Sequence, residues 1–90
     1  MSELSRTVPV ENKRGLHARA SAKFVNLASQ LPAEIEVVKD GHAVCGTSIM
    51  GLMMLGAAKG DSIEIRVRGE GADDALAQLV ELVEGKFGEE

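Results

Sequence analysis

Residues 62–68, SIEIRVR, alternate apolar and charged side chains without a break: Ile63, Ile65 and Val67 fall on one face, Glu64, Arg66 and Arg68 on the other. Successive strand side chains point to opposite faces, so this segment is a strand with one dry and one wet side. EIEVVK repeats the pattern through Ile35 and Val37, and Asp40-Gly41 after it is a favoured pair for a two-residue hairpin turn into HAVC. A sheet of such strands needs cover on one face only. The remaining segments supply it in helical periods. Ala20, Phe24, Ala28 and Leu31, with Leu27 alongside, are spaced for a helix from Ala18 to Gln30 that Pro32 stops. Ala72, Ala75, Leu76, Leu79 and Val83 form the stripe of another, with Asp73 and Asp74 in its first turn. Between them, TSIMGLMMLG reads as a short helix from a Ser48 cap to a Gly56 stop, weakened by about 1 kcal/mol at Gly51. RTVPV is a strand with Val8 and Val10 on one face, and Pro9, which cannot donate to a ladder, puts it at a sheet edge. The order βαββαβα predicts a two-layer α/β (α+β) open-faced sandwich: a four-stranded antiparallel sheet with three helices on one face.

Ninety residues make one domain, 1–90. A net charge of −4, with two Phe and no Trp or Tyr, argues against nucleic acid, which calls for basic surface and stacking side chains. No apolar run approaches the ~20 residues of a membrane span, and MSELSRTVPV lacks the apolar core of a secretory signal. A lone cysteine, Cys45, forms no internal disulfide, which fits a cytoplasmic location. Two histidines and one cysteine in separate elements give no metal-ligand spacing, so neither metal nor cofactor is expected. His42 is expected as an exposed strand residue, Cys45 as a small strand residue, and GKFGEE as a solvated tail. The chain is expected to be a monomer.

Against this acidic background, KRGLHARASAKF, residues 13–24, holds four of the ten basic residues, one histidine and no acid. His17 falls where a loop meets the first helix. The first N–H groups of a helix have no internal partner, and with the helix dipole they form an anion site. The same dipole disfavours a cationic imidazole there by about 0.3–1 kcal/mol, which favours the neutral, nucleophilic ring. Were that ring to take a phosphoryl group, the amides of Ala18 and Arg19, the Arg19 guanidinium, and nearby Lys13 and Arg14 could meet the new charge. Gly15 lets the backbone turn sharply just before it. The competing reading is a plain polar cap, and periodicity alone does not separate the two.

GLHARASAKF closely resembles the active-site segment of the histidine-containing phosphocarrier (HPr) family of the bacterial phosphotransferase system. Gly15, Leu16, His17, Ala18, Arg19, Ser21 and Ala22 match the family pattern, and Ala20 stands where Pro is commonest. A second family segment, GTSIMGLMMLGAAKG, follows in register, so the resemblance covers nearly the whole chain. It implies a carrier whose histidine accepts phosphate at Nδ1 from enzyme I and passes it to an enzyme IIA domain, with Arg19 catalytic and Ala18 and Arg14 steadying the phosphate. "Enzyme" then applies only as a component of a phosphotransferase chain. Ala20 alters little, since Pro in a first helical turn mainly presets φ.

IMGLMML has six apolar residues in seven, more than a short helix on a two-layer domain can bury. The resemblance implies a docking surface of Ala20, Ile49, Met50, Met53 and Met54, with Leu52 and Leu55 in the core; flexible methionines suit more than one partner. Ser48 is a helix cap on physical grounds, and in some family members a dedicated kinase modifies this serine, although Thr47 stands where many carry Lys or Arg. GLMMLGAAKG and the EGKFGEE tail are similar to the regulatory, nitrogen-linked branch of the family rather than the sugar-uptake branch. The alternatives from other classes are a non-catalytic α/β interaction module and a small RNA-binding domain; the acidic charge opposes the second.

Overall fold

The computed structural model describes residues 3–89. Its elements are β1 (Glu3–Pro9), α1 (Ala18–Ser29), β2 (Glu34–Lys39), β3 (His42–Cys45), α2 (Ile49–Met54), β4 (Ser62–Arg68) and α3 (Ala72–Glu84), followed by a 3-10 turn over Lys86–Gly88. The alternating runs pair as one antiparallel sheet in the order β1-β4-β2-β3. Register follows the apolar face: Val67 lies between Leu4 and Ile35, Ile65 faces Val37, and Ile63 faces Val8. These side chains, Leu4 excepted, are buried, and they form one core with Phe24 of α1, Leu52 of α2 and Leu79 of α3. At roughly 25 cal/mol per Å² of apolar surface, this shared face is the main force holding the two layers together.

The expected architecture is observed. β1 is an edge strand and ends at Pro9, beginning earlier than the RTVPV segment alone indicated. Asp40 and Gly41 both have positive φ, 51° and 83°, as the hairpin turn they signal requires. α1 ends at Ser29, with Gln30 as its C-cap. In α3 the buried stripe includes Val80, and Leu76 is only partly buried. His42 is exposed on β3. The wet face of the sheet carries charge ladders, with Arg66 between Glu64 (3.3 Å) and Glu36 (3.6 Å) and Arg68 on Glu34 (2.9 Å). Exposed pairs of this kind contribute about 0–1 kcal/mol each.

One expectation is overturned. GKFGEE is not a solvated tail: after α3 the chain turns back, and Phe87 is 1% exposed. Its backbone and that of Lys86 are left-handed, with φ of 55° and 60°. That geometry costs about 1–2 kcal/mol per residue, close to the 1.5–3 kcal/mol gained by burying one Phe side chain. Further hydrogen bonds tip the balance towards docking. Lys23 Nζ of α1 donates to the Phe87 carbonyl (2.7 Å), and Gly88 and Glu89 N–H donate to the Gly85 and Lys86 carbonyls (3.0 and 2.9 Å). The result is a strap lying across the start of α1.

Candidate functional site

His17 is the N-cap of α1. Its φ and ψ of −75° and −179° are extended, and its carbonyl accepts the first helical bond from Ser21 N–H at 2.9 Å. The approach to it is set from outside the helix. Gly15 has φ of +63°, and Leu16 N–H donates to the Ala57 carbonyl at 3.0 Å, which pins the loop to the segment after α2. Ser21 Oγ donates to the Leu16 carbonyl at 3.2 Å. Asn12, in the loop read simply as polar, is fully buried, and its Nδ2 donates to the Gly15 carbonyl at 2.8 Å.

The two ring nitrogens have different partners. Nδ1 accepts a long hydrogen bond, 3.3 Å, from Arg19 N–H in the first turn of α1. Nε2 lies 2.7 Å from Glu89 Oε2 on the strap, with the side chains 16% and 20% exposed. Glu89 Oε1 also accepts from Asn12 Nδ2 at 3.1 Å. Partial burial pushes the Glu89 carboxyl up, but the hydrogen bonds from Asn12 and His17 together with nearby positive charge hold the group below its ordinary value of 4.5. Ionised at neutral pH, the carboxylate can only accept, so the proton of this contact sits on Nε2. A backbone N–H can only donate, so the lone pair sits on Nδ1. Both neighbours specify the same tautomer.

Around the ring is a shallow depression of about 260 Å³ lined by Lys13, Arg14, His17, Arg19 and Glu89. Lys13, Arg14, Ala18 and Arg19 are exposed, so the phosphate-meeting residues expected from the sequence do gather round His17. Lys23 does not join them, because it is committed to the Phe87 carbonyl. A larger concavity of about 470 Å³ lies on the sheet, lined by Glu34, Glu36, Cys45, Arg66 and Arg68 among others, where Glu36 pairs with Arg66 and Glu34 with Arg68. Cys45 there is exposed, and a hydrogen bond with the Thr47 hydroxyl (3.1 Å) lowers its thiol pKa.

The residues expected to dock partners divide. Ile49, Met50, Met53 and Met54 are 40, 69, 41 and 79% exposed and form an apolar surface on α2, which packs against α1. Ala20 does not belong to it: it is 0% exposed, on the buried stripe with Phe24 and Ala28, so it is a core residue. Leu52 is buried and Leu55 partly so. Ser48 caps α2, its Oγ accepting from Gly51 N–H at 2.9 Å. Among the described residues no three His, Cys, Asp or Glu side chains are grouped to hold a metal ion, and no helix is long and apolar enough to cross a membrane. The residues missed from the sequence are Asn12 and Glu89. The available signal was Phe87: in a chain with two aromatic residues, one near the C-terminal end marks a segment that docks.

Comparison with known proteins identifies the family. The family model for the PTS HPr component phosphorylation site matches residues 4–85. The phosphocarrier protein HPr of Neisseria meningitidis serogroup A is 49% identical over 96% of this chain and 97% of its own length. The phosphocarrier protein NPr of Shewanella violacea is 42% identical over 99% and 98%. The crystal structure of HPr-C-His from Thermoanaerobacter tengcongensis matches with a TM-score of 0.90 at 43% identity, covering 100% of this chain and 99% of that one. With a family model over most of its length and relatives matched nearly end to end, the chain belongs to the HPr family of phosphocarriers of the phosphotransferase system.

Proposed function

We propose that this chain carries its phosphoryl group on Nδ1 of His17, taking it from phosphorylated enzyme I and passing it to an enzyme IIA-type acceptor. The observation that carries this is the ring's orientation: the lone-pair nitrogen faces the free end of α1, beside Lys13, Arg14 and Arg19. The Nδ1 lone pair attacks phosphorus while the donor's bond to phosphorus breaks and its electron pair leaves with the donor. The Arg19 amide, held only loosely at 3.3 Å, is released to the incoming phosphate together with the Ala18 amide. The Arg19 guanidinium offers it a planar fork of donors, and Arg14 adds charge. Transfer onward reverses these steps. A shallow site suits a group that must leave as readily as it arrives, and the exposed face of α2 gives the partner proteins an apolar surface to meet.

The test is incubation with phosphoenolpyruvate and enzyme I, followed by intact mass. The wild-type chain should gain ~80 Da, the mass of one phosphoryl group, in acid-labile form. His17→Ala should gain nothing while still folding, at some cost in stability because the ring caps α1 and meets Glu89, and His42→Ala should behave as wild type. Arg19→Ala should accept more slowly than wild type. Acid-labile phosphate on the His17→Ala chain would overturn the assignment.

A further inference from the structure

Among the described residues, the segment around His17 carries no acid of its own, yet a carboxylate reaches the ring from the other end of the chain. The strap that delivers it is anchored at three points: Phe87 in the core, the Phe87 carbonyl on Lys23 Nζ, and Glu89 Oε1 on Asn12 Nδ2. Asn12 holds the Gly15 carbonyl with the same amide nitrogen, so one buried side chain ties the strap to the loop that presents the histidine. The charged groups facing the ring are Lys13, Arg14 and Arg19 around the depression and Glu89 opposite, with Lys23 drawn off to the Phe87 carbonyl. Glu89 alone among them can accept a proton-mediated bond from Nε2.

We propose that Glu89 is a positioning residue for phosphoryl transfer: by accepting from Nε2–H it keeps the imidazole proton away from Nδ1 and turns the nucleophilic lone pair towards the amides of α1. The inference rests on His17 being the carrier residue. A neutral imidazole has one protonated and one lone-pair nitrogen, and only the lone-pair nitrogen attacks. A ring free to exchange tautomers or to rotate spends part of its time with a proton on Nδ1, and that part is unreactive. In the step itself the Nδ1–P bond forms as the donor's bond to phosphorus breaks. The proton stays on Nε2, and the phosphorylated ring carries the positive charge that Glu89 faces. Onward transfer returns the electron pair to Nδ1, leaving the starting tautomer. Glu89 touches neither phosphorus nor donor, and it stays ionised throughout.

Two full-length variants separate positioning from mere support of the strap. Glu89→Ala removes the acceptor; Glu89→Gln removes the charge but keeps an amide oxygen able to accept from Nε2–H. The first readout is the pair of ¹⁵N ring shifts of His17 at alkaline pH, without any phosphoryl donor. Wild type and Glu89→Gln should hold the Nε2–H tautomer, and Glu89→Ala should gain a population protonated at Nδ1. The second is acceptance from phosphorylated enzyme I. Here Glu89→Ala should be slower by roughly two- to tenfold, the effect of losing one hydrogen bond of ordinary strength, with Glu89→Gln recovering part of the rate. A wild-type tautomer ratio in Glu89→Ala overturns the proposal, as does an equal loss of rate in both variants with the tautomer unmoved. If the wild-type chain takes no phosphate on His17, the carrier assignment fails instead, and the ring shifts still decide the role of Glu89.

Discussion

Gly15→Ala probes how the loop before His17 is held. A Cβ on Gly15 would lie 2.8 Å from the Ala58 Cα and closer still to the Ala57 carbonyl oxygen, the same oxygen that Leu16 N–H uses. Both neighbours are backbone, so no side chain can swing aside. Two costs follow. Alanine at φ of +63° costs about 1–2 kcal/mol. Relieving the clash must also lengthen or break the Leu16–Ala57 hydrogen bond, about 1 kcal/mol, and lift Leu16, 5% exposed, from the core. A total of about 2–4 kcal/mol is expected, or roughly 10–25 °C in Tm for a domain this small. Gly41→Ala is the control: φ is +83° there, but nothing lies within 4 Å of an added Cβ, so the backbone cost acts alone. Thermal melts followed by circular dichroism compare the two. Because Gly15 shapes the loop two residues before His17, the first variant should also accept phosphate more slowly at temperatures where it is fully folded. Equal losses of Tm in the two variants would refute the steric reasoning and leave only the cost of positive φ.

Ser48→Ala should lose about 0.5–2 kcal/mol, since the Gly51 amide then has no cap, whereas Ser48→Asp should fold as well as wild type because a carboxylate also caps. The same aspartate lies next to exposed Ile49 and Met50, so its phosphorylation by enzyme I at low salt should be several-fold slower; an unchanged time course would leave Ser48 as a helix cap only. Acidification should free the strap. The Glu89 carboxyl is held below 4.5 in the folded chain, so its contribution to docking is fully present above that pH and is lost as pH falls further through the lowered value. The Glu89 carboxyl carbon and Phe87 ring signals followed by NMR should move together in that range, and a Phe87 ring still in its core environment after Glu89 has protonated would show that the carboxylate does not hold the strap.

What was legible in the sequence had local causes. The alternation in SIEIRVR, the Asp40-Gly41 turn and the Ser48 cap each act within a few residues, and each stands in the structure as read. His17 was legible as a helix cap by position, and its chemistry by resemblance. Glu89 was not, because the contact that matters joins residues at opposite ends of the chain and depends on two non-glycine residues in left-handed backbone. No period or turn rule announces such a turn. Asn12 reads as one more polar loop residue, since the Glu89 carboxylate it donates to comes from far along the chain. Ala20 shows the reverse failure: helical spacing placed it in the core, and the resemblance drew it towards the surface.

The strand order also has a consequence in time. The β2–β3 hairpin closes across two residues and needs only local contacts, which form on a scale of about 1–10 μs. β1 must find β4 with Glu3 opposite Arg68, so most of the chain has to be gathered before that pairing repays its closure entropy. Glu89 meets His17 across a still longer span. The β2–β3 hairpin therefore reports early folding, and the contact between Glu89 and His17 forms only once the segment after α3 has come back to the start of α1.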